Sequence, residues 1–122
     1  CSLGTHDLVQ YTLAVDRGHA NISYLYNHFN PAVLRLVQRT ISSARENGIW
    51  AGMCGEMASD PNAAVLLMAM GISELSMSAP SIPRVKEKIR SISSVKAKEI
   101  LADVMAMEDG DDIRNYLQKI LG

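Results

Sequence analysis

The sequence predicts an α/β protein, built as about three βα units of a parallel (β/α)8 TIM-barrel sheet and followed by helices alone. Three observations predict it. Short apolar strand patterns alternate with helical ones in the order strand, helix, strand, helix, strand, helix. Successive strands recur at roughly 30 to 45 residues, about the length of one unit of such a barrel. After Ile92 the strand texture stops and only helical stripes remain. Crossovers between parallel strands of this kind are right-handed. A closed barrel takes ~250 residues, so a chain of 122 residues holds only part of one. Residues 1–92 are expected to supply that part, and residues 93–122 the closing helices of the same domain.

Each element has a local reason. Cys1 to Leu8 reads as a short buried strand running into a polar turn. Asp7 to Asp16 is expected to be a loop with a helical turn, and Asn21 to Asn30 irregular. Asn30-Pro31 starts the first clear helix, with Asn30 as N-cap and Pro31 at the first helical position. Leu34, Val37, Ile41 and Ala44 fall on one face, Arg35, Gln38, Arg39 and Arg45 largely off it, and Gly48 ends the helix. Ile49 to Met53 reads as a second strand, apolar on both sides, which predicts a sheet buried on both faces. Asp60-Pro61 repeats the cap, and Asn62 to Met70 forms a helix without a polar face, to be buried between layers and closed by Gly71. Glu74 to Ser78 is the third strand. The prolines of Pro80-Ser81-Ile82-Pro83 mark a loop, with Ser81 capping a helix from Pro83 to Ile92. Beyond it, Ala97, Ile100, Leu101, Val104 and Met105 make one helical stripe, and Ile113, Tyr116, Leu117, Ile120 and Leu121 another. An acidic turn, Glu108 to Asp112, separates the two.

Composition narrows the function. Twelve Lys and Arg stand against 13 Asp and Glu, a net charge of −1. A sequence-independent nucleic-acid binder or an anionic-membrane binder needs an excess of cations. Hydrophobic residues at 48% and charged ones at 20% supply a packed core and exclude disorder. The apolar run Ala63 to Met70 is less than half of the roughly 18 residues that a membrane helix needs, and no basic-then-apolar leader is visible. A cytoplasmic protein is expected. The two cysteines, Cys1 and Cys54, are too few for a disulfide framework and read as thiols in a reducing compartment. The chain opens on Cys1 rather than Met, which suggests a processed product or a piece of something longer.

In parallel α/β proteins ligands bind beyond the carboxyl ends of the strands. Three places qualify: Thr5-His6-Asp7, Cys54-Gly55-Glu56 and Ser78-Ala79, with Arg17 in the long loop after the first strand. An imidazole, a carboxylate, a thiol and a guanidinium would gather at one end of the sheet. Each also has a plainer reading. Cys54 suits a small buried hydrophobe, Asp7 a turn former or cap, His6 a satisfied loop histidine and Arg17 a solvated cation. The seven Met residues read as core filler. No His or Cys pair stands at zinc-ligand spacing and there is no Gly-rich phosphate loop.

Four ordered motifs weigh on this choice. Gly4-Thr5-His6-Asp7-Leu8-Val9-Gln10-Tyr11-Thr12 followed by Asp16-Arg17-Gly18 resembles the GTNDLxQYT…DRG segment of Enzyme I of the bacterial sugar phosphotransferase system. Met53 to Asp60 resembles that family's MCGEMAGD motif, and Asn30 to Leu36 and Ser76 to Ala79 follow in the right order. The likeness covers residues 1 to about 92, with a weaker match in the tail. Pyruvate phosphate dikinases and phosphoenolpyruvate synthases share part of it, but Asp16-Arg17-Gly18 and the surroundings of Met57 favour Enzyme I.

The resemblance implies a fragment of a phosphoenolpyruvate-protein phosphotransferase, from the C-terminal part of its phosphoenolpyruvate-binding barrel. Such a parent moves phosphate from phosphoenolpyruvate to its own histidine and then to the carrier protein HPr. It is cytoplasmic, dimeric and Mg²⁺-dependent, and takes part in sugar or nitrogen-related transport. Cys54 then matches the proton donor to C3 of the enolate, a task that suits a thiol with an ordinary pKa near 8.5. Asp7 matches a Mg²⁺ ligand and Arg17 a cation on the substrate phosphate. His6 stands where the family has an Asn that donates an N–H to the phosphate, and Ser59 where it has a Gly; Glu56 is expected to act from just behind the site. The phosphorylated histidine, the other metal carboxylate and the remaining cations would precede Cys1. The isolated chain is therefore expected to be inactive, and its open sheet edges to favour association or swapping with another copy. The rival readings are a dikinase or synthase fragment, a binding or scaffold fragment without chemistry, and a small metabolite-binding module.

Overall fold

The computed structural model describes residues 2–4 and 27–122. The expected loop over Asp7 to Asp16, and the irregular stretch from Asn21 as far as residue 26, lie outside the described residues. Strands β1 (Ser2–Gly4), β2 (Gly52–Cys54) and β3 (Glu74–Ser76) form a parallel sheet in the order β1-β2-β3. The helices are α1 (Pro31–Glu46), α2 (Glu56–Ser59), α3 (Pro61–Met70), α4 (Ile82–Arg90), α5 (Ser94–Met105) and α6 (Gly110–Leu121). A mixed α/β architecture with a parallel sheet is thus present.

Sheet register decides what faces what. Leu3, Met53 and Leu75 stand in one row across the three strands. Leu3 and Met53 belong to the core, and Leu75 packs against it. Strand residues alternate between faces, so Ser2, Glu74, Cys54 and Ser76 turn the other way, and all four are exposed. The expectation of a sheet buried on both faces is corrected here. Among the described residues helices cover one face only, and the other is polar.

The second strand is also shorter than its apolar run. The Ile49 N–H bonds the Ala44 carbonyl at 2.7 Å, so Ile49 still closes α1. Trp50, half exposed, lays its ring against Gly52, where an added Cβ would meet it at 2.7 Å. Ala51 pairs with Ser73 through two hydrogen bonds, the Ser73 N–H donating to its carbonyl and its own N–H to the Ser73 hydroxyl. The third strand likewise ends at Ser76 rather than Ser78.

The helices follow their caps. The Asn30 side chain accepts from the Ala32 N–H at 2.9 Å, and Val33, Leu34, Val37, Ile41 and Ala44 line the buried face of α1. The Asp60 carboxylate caps α3, accepting from the N–H groups of Asn62 and Ala63 at 3.0 and 3.3 Å. Gly71, in the left-handed conformation at φ 93°, closes it. Residues Ala63 to Leu67 are all fully buried, because α3 packs against α1, α4, α5 and α6. Pro80 to Pro83 do not form the expected loop. Ala79–Ser81 make a 3₁₀ turn that runs straight into α4, with Pro83 in its first turn. A proline there removes only an N–H that the helix does not use.

Two short helix ends hold the C-terminal pair. Ser93 accepts from the Lys96 N–H and Asp109 from those of Asp111 and Asp112, so the acidic turn is the favourable N-terminus of α6. The Tyr116 hydroxyl donates to Asp103 at 2.6 Å and its pKa is pushed up to about 12 by that bond. Ile100, Val104, Ile113 and Leu117 join the same core as Leu34, Met53 and Leu67, whereas Ile120 of the expected stripe is exposed. Among the described residues no helix is long and apolar enough to cross a membrane.

This packing has a measurable consequence. Leu67→Ala, at a fully buried site of α3, is expected to cost about 2–5 kcal/mol in urea denaturation. Val95→Ala, at 68% exposure, should change stability by less than about 0.5 kcal/mol.

Candidate functional site

Cys54 ends β2 at the carboxyl edge of the sheet, and its thiol donates to the Leu3 carbonyl across the sheet at 3.2 Å. Gly55 then turns the chain at φ 95°, ψ −161°, a conformation essentially confined to glycine. That turn lets α2 begin at once. Met57 and Ala58 are driven into the core, and the Ser59 hydroxyl bonds back to the Gly55 carbonyl at 3.2 Å. The sequence reading missed α2, since four residues are too few to show a helical period.

Beyond the ends of β2 and β3 lies a cleft of about 710 Å³, within the size range of small-molecule sites. Glu56 lines it after β2, and Met77 and Ser78 after β3. His28, Ser59, Asp60, Ser81 and Arg84 complete its polar lining. Of the expected site residues, Cys54 stands beside this lining, immediately before Gly55. His6, Asp7 and Arg17 lie outside the described residues. Ser78, expected as a strand-end position, does face the cleft.

His28 and Asp60 form a pair that spacing along the chain could not reveal, being 32 residues apart. Nε2 of His28 stands 3.1 Å from Oδ2 of Asp60, and the imidazole also lies against Phe29, with ring centres 4.5 Å apart. Asp60 therefore serves twice, through Oδ1 as the cap of α3 and through Oδ2 as partner of His28. Burial tends to raise its pKa. The His28 hydrogen bond and charge, with the Ala63 and Asn62 N–H groups, outweigh burial and leave it below the ordinary 3.8.

Ser81 departs from the expectation as well. It makes no capping bond to α4. Its hydroxyl instead pairs with that of Ser78 at 3.3 Å, and the residue is buried at 8% exposure. The reason is local: the 3₁₀ turn places Ser81 in helical φ and ψ, whereas a capping serine needs extended backbone. Arg84 carried no sequence signal, because it looks like any exposed helix cation. Among the described residues no group of three His, Cys, Asp or Glu could hold a metal ion.

The direction of the Asp60 shift fixes a pH dependence. A carboxyl held below its ordinary value adds stability that is complete above that value and lost as pH falls through the folded one. Asp60→Ala is expected to cost about 1–2 kcal/mol at neutral pH. It should also flatten the loss of stability below about pH 4, as followed by urea denaturation from neutral to acid pH.

Comparison with known proteins places this cleft in a family. The pattern described as "PEP-utilising enzyme, PEP-binding domain" matches residues 1–94. A phosphoenolpyruvate-protein phosphotransferase of Haemophilus influenzae is 53% identical over 102 residues, 84% of this chain and 18% of that protein. One from Buchnera aphidicola of Acyrthosiphon pisum is 47% identical over 120 residues, 98% of this chain and 21% of its own length. One from Priestia megaterium is 43% identical over 117 residues, 96% and 20% respectively. The chain spans about a fifth of the length of the curated relatives it matches. With the match running from β1 through α4, across every strand that frames the cleft, the chain belongs to the PEP-binding domain family of PEP-utilising enzymes.

Proposed function

We propose that the chain is the C-terminal part of a phosphoenolpyruvate-protein phosphotransferase of the Enzyme I type. The observation that carries this reading is the 47% identity over 98% of the chain to a relative of that name. The place of Cys54, exposed on the polar sheet face beside the cleft, supports it. In this reading the described sheet is an arc of a (β/α)8 barrel, residues 1–92, whose other strands come from the preceding part of the protein. Residues 93–122 close the same domain, and their contribution to the shared core supports that assignment.

The reaction breaks the P–O bond of phosphoenolpyruvate, passes the phosphoryl group to a histidine elsewhere in the protein, and leaves the enolate of pyruvate. Catalysis of such a transfer is mainly positioning and neutralisation. Cys54 acts on the enolate. Its S–H, donated to the Leu3 carbonyl in the structure, turns to C3, a C–H bond forms, and the thiolate recovers a proton from solvent. Arg17 holds the phosphate with its two-pronged guanidinium, and His6 donates an N–H where related proteins use an amide. Asp7 is this chain's ligand to Mg²⁺, which offsets charge on the phosphate when bound. Asp60 does not supply the rest of that shell, since it is committed to His28 and the α3 cap. The other ligands and the transfer to HPr belong to the remainder of a cytoplasmic protein that works as a homodimer.

Cys54→Ala in the full-length protein is expected to lower the phosphotransfer kcat by about 10²–10⁴-fold, with a much smaller change in KM for phosphoenolpyruvate. An unchanged kcat would remove Cys54 from the role. The 122-residue chain alone should release no pyruvate from phosphoenolpyruvate with Mg²⁺. Turnover by the isolated chain, followed by coupled pyruvate reduction, would show that its own residues suffice.

A further inference from the structure

We infer that Arg84, with the hydroxyls of Ser78 and Ser81, forms an oxyanion subsite on the side of the cleft built by α4, taking the phosphate or carboxylate group of a small metabolite. All three residues line the same cleft. Arg84 sits in the first turn of α4, where no acidic residue accompanies it. A cation at the positive end of a helix is electrostatically misplaced unless an anion joins it. Among the described residues its guanidinium has no hydrogen bond or ion pair.

The serines give the second, independent observation. Ser81 is the buried polar residue of the described structure, and its hydroxyl is used on Ser78 rather than on the helix. Whichever of the two hydroxyls donates in that pair, the O–H of the other is left to donate into the cleft. A guanidinium fork and a serine O–H on one wall match the donor needs of a phosphate or carboxylate. The carboxylates of the cleft do not oppose this. Asp60 turns its oxygens to His28 and to the α3 amides, which take up its acceptor capacity away from Arg84. Glu56 stands on α2, so its charge disfavours an anion there and favours one beside α4.

The subsite rests on the proposed function only for its natural ligand, which in that reading is phosphoenolpyruvate, a molecule carrying both groups. The test is a ¹⁵N NMR titration of the 122-residue chain with inorganic phosphate, pyruvate and phosphoenolpyruvate separately, at millimolar concentration. Phosphate or pyruvate should shift the Arg84 side-chain N–H and the amides of Ser78 and Ser81. The probe that acts identifies which group is recognised. Arg84→Gln should weaken that binding at least about fivefold and Arg84→Lys less, as expected when one charge-assisted contact is lost or loses its fork. Ser78→Ala, which leaves the charge in place, should weaken it about twofold. The subsite is overturned if neither probe shifts these resonances, or if Arg84→Gln binds as the parent chain does. Binding of phosphate but not phosphoenolpyruvate would leave the subsite standing and remove phosphoenolpyruvate as its ligand. Binding of phosphoenolpyruvate unaffected by Arg84→Gln would overturn the subsite and leave the proposed function intact.

Discussion

The helix from Pro61 to Met70 sets the terms for the rest of the fold. It has no polar face, so water must be kept from it all round, and only neighbouring elements can do that. Helices α1, α4, α5 and α6 all touch it. Its start is held by one carboxylate, Asp60, whose two oxygens serve different masters: the helix amides on one side and His28 on the other. A single side chain therefore joins the most buried helix to the wall of the cleft. Packing and site share that residue.

The strands show how little is needed to separate scaffold from chemistry. Each has three residues, and the middle one in each case, Leu3, Met53 or Leu75, faces the helices. The flanking residues face the other way and are mostly small or polar, with Cys54 among them. The period of two in a strand thus puts the thiol on the open face by the same geometry that buries Met53 next to it. Gly55 then frees the next residues to dive into α2, so the thiol stays at the edge and is not drawn inward with Met57.

Much of this could be read from the amino acids. Asn30-Pro31 and Asp60-Pro61 announce helix starts because an Asx side chain and a fixed φ act within three residues. The stripe of α1 and the all-apolar α3 follow from local periodicity. What the sequence obscured depends on context. Ile49 and Trp50 look like strand residues, yet one still closes a helix and the other folds back over Gly52. Pro80 and Pro83 look like loop markers, but both lie at the starts of helical turns, where proline is tolerated. Cys54, as a strand-end residue, was legible as a site candidate. His28 and Arg84 were not, since their meaning comes from neighbours in space and from the helix end on which they stand.

The link between α6 and the segment just before α1 bears on the order in which the protein matures. Arg114 on α6 donates to the Asn27 side chain at 3.0 Å and lies over the Phe29 ring at 5.2 Å. These partners are 87 residues apart. During synthesis the segment that carries His28 has no such anchor until α6 has emerged from the ribosome. One wall of the cleft is therefore tethered only once α6 is made, after the sheet and α3 have had time to assemble.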